Sequence, residues 1–159
     1  MATFQKGLLL DTNILLDYCL PNRAGHKTSF QLIDICLQDD IPLYCVVSSL
    51  KDVFYLIERA IRSALSKEEK PNNGVSSEIA WGMLECIRDM VHVIGADESD
   101  VWVATKCRPL HEDFEDNMII AACERAGASY LITNDARLRE DACVPTLKPS
   151  QALALLEEA

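Results

Sequence analysis

The chain has 159 residues, 49% of them apolar, and carries 25 Asp and Glu against 15 Lys and Arg for a formal net charge of −10. That length and apolar content suit one globular domain with a full core and exclude a disordered chain. The acidic balance excludes a general electrostatic grip on nucleic acid, so any such contact must use local Lys and Arg.

Leu8-Leu-Leu10 ends abruptly in Asp11-Thr-Asn13, the pattern of a strand buried on both faces and closed by polar residues. A short helix over Ile14 to Cys19 stops at Pro21-Asn22, and a second spans His26 to Gln38 with Phe30, Ile33 and Leu37 on one face. Pro42 to Val47 reads as the second strand. Ser49 opens the strongest amphipathic helix, where Leu50, Val53, Phe54, Ile57, Ile61, Ala64 and Leu65 recur at three- and four-residue steps. The polar stretch Ser66 to Gly74 is expected to be an exposed loop. A helix over Ser77 to Met90, with Ile79, Met83, Ile87 and Met90 inward, leads to a third strand at Val91 to Ile94. Asp97 can cap a helix over Glu98 to Cys107. Asp113 to Ala126 is helical and closed by Gly127. Ser129 to Thr133 forms the fourth strand, a fifth is expected near Cys143 to Val144, and the last helix starts at Ser150.

Strands alternating with helices predict a three-layer α/β/α sandwich with a central parallel sheet of four to five strands. The expectation is one domain over 1–159, with a motif-bearing core of about 7–140 and a C-terminal strand and helix in 141–159. The seven cysteines (Cys19, Cys36, Cys45, Cys86, Cys107, Cys123 and Cys143) are scattered, with no C-x-x-C pair and no histidine beside a pair. This argues against zinc and for buried, reduced thiols. No charged-then-apolar leader and no apolar run of ~18–20 residues is present, and the protein is expected to be cytoplasmic with no membrane partner.

On this plan Asp11 ends strand one, Asp52 lies in the first turn after strand two, and Asp135 follows strand four. Asp113 and Asp116 open the helix that runs back to strand four, so five carboxylates reach the carboxyl edge, where open parallel sheets bind ligands. Crowded carboxylates repel one another unless a cation is present. Mg²⁺ or Mn²⁺ takes hard oxygen ligands and keeps several waters, and such an ion supports hydrolysis of a phosphodiester. Thr12, Asn13, Thr133 and Asn134 would supply neutral hydrogen bonds that orient ligands. Asp52 and Asp113 also read as helix caps, Ser49 with Asp52 having capping-box spacing. Arg137 and Arg139 could contact a phosphate-bearing substrate, with Arg59 and Arg62 a second pair. His111, near Asp113, could serve as an acid or base but reads first as a solvent-exposed loop histidine, and Trp81 and Trp102 read as core or partner-facing.

These residues resemble a known family. Leu8-Leu-Leu-Asp-Thr-Asn13 looks like the opening of PIN domains. Asp113-Phe-Glu-Asp-Asn-Met-Ile-Ile-Ala-Ala-Cys123 with Gly127-Ala-Ser-Tyr-Leu-Ile-Thr-Asn-Asp135 looks like their closing half, in a D-F-E-D subgroup. The resemblance covers about Gly7 to Glu140. It implies a metal-dependent endoribonuclease, frequently the toxin of a toxin–antitoxin pair of the VapC kind, with an RNA substrate, an antitoxin partner and a homodimeric state. Carried over, Asp11, Asp116 and Asp135 match the family's metal-binding acids, and Asp113 the additional aspartate of the subgroup. Many members place a Glu-Leu pair about six residues after the serine ending strand two. Phe54 and Tyr55 stand there here, leaving Asp52 or Glu58 for the second acidic position, with Asp52 closer to the strand edge. Were neither to serve, the chain would be a degenerate PIN domain that binds RNA or protein without cutting. A receiver-like domain would need an acidic pair after strand one and an aspartate ending strand three. A haloacid-dehalogenase-type phosphatase would need Asp where Asn13 stands.

Overall fold

The computed structural model describes residues 4, 6–65 and 73–158, without the side chain of residue 73. Its elements, in chain order, are β1 (Leu8–Leu10), α1 (Thr12–Cys19), α2 (His26–Gln38), β2 (Leu43–Val46), α3 (Val47–Ala64), α4 (Asn73–Met90) and β3 (His92–Ile94). There follow α5 (Glu98–Cys107), α6 (Phe114–Ala126), β4 (Tyr130–Ile132), α7 (Ala136–Asp141), β5 (Thr146–Leu147) and α8 (Pro149–Glu157). The five strands pair in parallel in the order β3-β2-β1-β4-β5. This is the α/β/α sandwich that the alternation of elements predicts.

The strand period of two divides β1 between two cores. Leu8 and Leu10 join Leu15, Leu32, Ile33, Val53, Ile57, Ile87 and Leu153 under α1 to α4 and α8. Leu9 joins Ile119, Ile120, Cys123, Leu131 and Leu138 under α5 to α7. All three leucines are fully buried, each worth roughly 1.5–3 kcal/mol of burial. The chain winds outward from β1 to β3, then crosses back over the other face to β4. The sheet order therefore reverses between β1 and β4, and such a switch point opens a crevice at the carboxyl ends of its two strands.

Several expectations shift. The fifth strand lies at Thr146–Leu147, not Cys143–Val144, because pairing starts at the Pro145 carbonyl, which accepts from Leu131 N–H at 2.9 Å. Ser49 does not open α3, which begins at Val47 without a side-chain cap. It is fully buried instead, and its Oγ accepts from Thr12 Oγ1 at 2.8 Å, tying α3 to α1. On α2 the inward residues are Ser29, Leu32, Ile33 and Cys36, while Phe30 and Leu37 are exposed. α2 is covered by both α1 and α8, and small residues let two neighbours approach. The inward stripe of α4 likewise begins on Ser76 and Ala80, leaving Ile79 exposed. Most of the expected loop from Ser66 lies outside the described residues, and 73–74 already belong to α4. Neither tryptophan is core. Trp81 is exposed with its ring edge-on to Phe54 at 5.0 Å, and Trp102 is exposed beneath Lys106 Nζ at 3.5 Å. Cys86 and Cys143 are exposed and the other five thiols buried.

Two glycines are required by their settings. Gly127 ends α6 at φ 64°, donating to the Cys123 and Glu124 carbonyls. Gly25, before α2, lies so close to Asp17 that a Cβ there would overlap Asp17 Oδ2 and stand 2.6 Å from its Cγ. Gly25→Ala is expected to cost about 1–3 kcal/mol, seen as a lower urea midpoint with an unchanged slope. Among the described residues no helix is long and apolar enough to cross a membrane.

Candidate active site

The crevice between β1 and β4 opens into a cleft of about 480 Å³ lined by Asp11, Thr12, Asn13, Asp52, Tyr55, Asp113, Glu115, Asp116 and Asp135 beside Leu16, Leu56 and Ile119. All five aspartates named from the sequence thus reach one cleft, although 124 positions separate Asp11 from Asp135.

Asp11 sits deepest, at 4% exposure. Its Oδ1 accepts from Thr12 N–H at 2.6 Å, and its Oδ2 accepts from Thr133 Oγ1 at 2.6 Å and from Asn13 Nδ2. Burial pushes its pKa up to about 6, the Thr133 hydrogen bond opposing this and the Asp116 charge adding to it. Several donors would ordinarily hold a carboxylate low; here desolvation outweighs them. Thr133, fully buried, is the hinge of the group. Its Oγ1 donates to Asp11 and accepts from Asp135 N–H at 3.0 Å and Asn13 Nδ2 at 3.2 Å. Asn134 N–H donates to Asn13 Oδ1 at 3.1 Å, stitching the end of β4 to the start of α1.

Capping and lining the cleft prove compatible. Asp113 caps α6 through Oδ1 alone, which accepts from the N–H groups of Glu115 (2.9 Å) and Asp116 (3.1 Å). Asp135 caps α7 in the same way, its Oδ1 accepting from Arg137 and Leu138 N–H. In both residues Oδ2 takes no hydrogen bond among the described residues and remains available. A cap fixes the rotamer and leaves the second oxygen to a ligand. Of the two candidates for the second acidic position, Asp52 lines the cleft, whereas Glu58 is paired with Arg62 at 2.6 Å and lies off it.

The sequence places His111 in the wrong environment and passes over Glu115. His111 is 3% exposed rather than solvated. Its Nε2 lies 2.8 Å from Asp116 Oδ2 and its Nδ1 3.0 Å from Asp141 Oδ2. Burial disfavours the charged imidazolium, yet the hydrogen bonds and charges of Asp141 and Asp116 together outweigh it and raise the pKa. Asn117, buried, holds the His111 carbonyl through Nδ2 at 2.7 Å. Nothing local predicts this arrangement, because Asp141 comes from α7, thirty positions away. The second residue is Glu115, which stands within the quoted D-F-E-D run. It hydrogen-bonds Asp52, and desolvation, that bond and the Asp52 charge raise its pKa to about 7. Burial also raises Asp116, against the pull of His111.

Arg137 and Arg139 do not line the cleft. Arg137 lies 3.7 Å from both Glu112 and Asp141, and Arg139 Nη1 donates to the Thr133 carbonyl at 3.2 Å. Arg62 is engaged by Glu58.

Among the described residues no three His, Cys, Asp or Glu side chains close into a ready-made metal cage. The acids line walls instead, with free hard oxygens and no sulfur or imidazole facing the cleft. That donor set fits a hard divalent cation that retains its waters and takes only one or two carboxylates at a time.

The model of the family described as PIN domain matches residues 7–137. No curated protein sequence matches the chain significantly. Among solved structures the chain is similar to the VapBC2 complex of Rickettsia felis bound to a promoter DNA fragment, at a TM-score of 0.65 and 13% identity over 89% of this chain and 97% of that one. It is also similar to FitAcB of Neisseria gonorrhoeae, at 0.63 and 17% over 90% and 98%. VapC20 of Mycobacterium tuberculosis, a toxin that cleaves the sarcin-ricin loop, aligns at 0.62 and 15% over 84% and 94%. Identities this low speak for the fold; the family match spans the whole stretch from Asp11 to Asp135, and by it the chain belongs to the PIN domain family.

Proposed function

We propose that the protein is a divalent-metal-dependent endoribonuclease that serves as the toxin of a toxin–antitoxin pair. The observation that carries this is the convergence of Asp11, Asp52, Asp113, Asp116 and Asp135 on one cleft at the sheet's switch point. The similar structures support the toxin role, since VapBC2 is a complex and VapC20 an RNA-cleaving toxin.

Asp11, Asp116, Asp135 and Asp113 would hold Mg²⁺ or Mn²⁺, which when bound polarises a phosphodiester oxygen and eases formation of the attacking hydroxide. The chain's own residues prepare that site. Thr133 and Asn13 fix Asp11, the helix caps orient Asp113 and Asp135, and His111 holds Asp116 from behind. Glu115, its pKa raised to about 7 by burial and the neighbouring Asp52, lines the cleft wall and is suited to general acid–base exchange.

Digestion of RNA by the wild type with Mg²⁺ or Mn²⁺, beside a chelator control and Asp135→Asn, tests the reading. Cleavage that needs the metal and is lost in Asp135→Asn supports it. Clean wild type that binds RNA without cutting would establish the degenerate binding module instead. For the toxin role, a small DNA-binding antitoxin should be encoded next to this chain and should inhibit cleavage when added.

His111→Ala is expected to weaken Mn²⁺ binding about 10–100-fold, the usual consequence of removing the group that orients a ligand. Titration calorimetry reads it directly, and an unchanged affinity would show that Asp116 needs no such support.

A further inference from the structure

Beside the cleft a second hollow at the same edge is organised by a buried carboxylate. Asp17, on α1, is 4% exposed. Its Oδ1 accepts from Arg23 Nε at 2.5 Å and its Oδ2 from Asn134 Nδ2 at 2.8 Å. His26 Nδ1 lies 2.8 Å from the Asp17 carbonyl. A buried carboxylate requires such partners, but Arg23 supplies its bond in a particular way. Only Nε is used, so among the described residues neither terminal nitrogen has a protein partner, and the side chain is 41% exposed. Arg23 lines a hollow of about 490 Å³ together with Asp17, Ala24, Gly25 and Asn134. The absence of a side chain at Gly25 lets the α1–α2 turn close onto Asp17.

The hollow is wired to the acidic cleft. Asn134 holds Asp17 through its side chain and Asn13 through its backbone N–H, and Asn13 donates to Asp11. Through Asn134 and Asn13, the carboxylate that holds Arg23 is thus linked to Asp11. Of the other arginines named from the sequence, Arg137, Arg139 and Arg62 are engaged by neighbouring groups, and Arg59 lines neither the cleft nor this hollow. In a chain of net charge −10, a phosphate beside five carboxylates needs a local cation.

Resting on the ribonuclease reading above, we infer that Arg23, pinned by Asp17, is a phosphate-binding position for the RNA strand flanking the cleft. The free edge of a guanidinium offers two parallel N–H groups to a phosphate, and anchoring through Nε removes much of the rotamer freedom that binding would otherwise have to restrict.

The test measures binding of a fluorescein-labelled single-stranded RNA to Asp11→Asn protein in Mg²⁺, as a function of salt, with Arg23→Gln, Arg23→Lys and Arg88→Gln added in turn. Arg88 is an exposed arginine near the end of α4 that takes no part in the cleft. Arg23→Gln is expected to weaken binding about 5–10-fold and to reduce the slope of log affinity against log salt by about 0.7, the value for one phosphate contact on a single strand. Arg23→Lys should restore the slope, and Arg88→Gln should leave both quantities alone. A residue that only holds Asp17 would lower the melting temperature without moving the slope, and that result overturns the inference. So does an absence of RNA binding. The two readings fail separately. Metal-dependent cleavage by wild type with no Arg23 effect removes only the phosphate position, whereas an Arg23 effect on binding with no cleavage by wild type removes only the nuclease.

Discussion

Asp11→Asn is expected to lower RNA cleavage at least about 100-fold, because removal of groups that merely orient a ligand already costs 10–100-fold and the proposal makes Asp11 a ligand itself. Its burial and its three hydrogen-bond donors engage both of its oxygens, whereas the capping acids Asp113 and Asp135 each use only Oδ1. Stability should change little, within about 1 kcal/mol. The amide relieves the penalty on a buried charge but turns one N–H₂ group toward donors that an oxygen had accepted. Cleavage rate and melting temperature measured on the same preparation separate loss of chemistry from loss of fold. An Asp11→Asn protein that is folded and cleaves like wild type sinks the assigned site.

The second large effect is a reversed pH dependence of stability. In chelator the protein should be less stable at pH 7.5 than at pH 5. Asp11 has a folded pKa of about 6 against an ordinary value of 3.8. Between those values the folded state binds the proton that the unfolded state has lost, so stability falls as pH rises. The full contribution is on the order of 3 kcal/mol below about pH 4, and roughly half of it is still present at pH 5. Asp11 alone then lowers the melting temperature by roughly 3–6 °C between pH 5 and 7.5. Asp116, Glu115 and His111, all raised, act in the same direction. A divalent cation that binds the ionised acids should reverse the trend, adding about 2.7 kcal/mol at a hundredfold excess over its dissociation constant and stabilising far more at pH 7.5 than at pH 5. Thermal scans at the two pH values, with chelator and with Mn²⁺, measure it. Equal metal effects at both would be incompatible with cation binding through these carboxylates.

The gathering of the acids was legible in the chain because it depended on connectivity. The unbroken Leu8-Leu-Leu10 reads as a strand covered on both faces, and on that reading Asp11 stands at its carboxyl end. The same logic placed Asp52, Asp113, Asp116 and Asp135 at that edge, since every helix between parallel strands must return the chain to the amino side. Strand order, however, is a matter of which crossover covers which face. Only the folded sheet puts β4 beside β1, so that Thr133 can donate to Asp11 across 122 positions.

Side-chain environment was the other thing no local pattern could supply. His111 lies in a polar turn, and the turn's composition says exposed; the arrival of Asp141 from α7 and of Asn117 from α6 buries it. Phe30 and Ile79 fit amphipathic stripes, yet α2 and α4 meet their neighbours through serines, alanine and cysteine, so the apolar faces rotate. Arg23 and Arg137 are equally ordinary in sequence, and what distinguishes them is which nitrogens the fold leaves free. The sequence by itself determined that acids would gather after Leu8-Leu-Leu10, because strand polarity is a property of the chain. The tertiary structure alone decided which oxygens and nitrogens remain unclaimed there, because hydrogen bonding between distant segments exists only once they are packed.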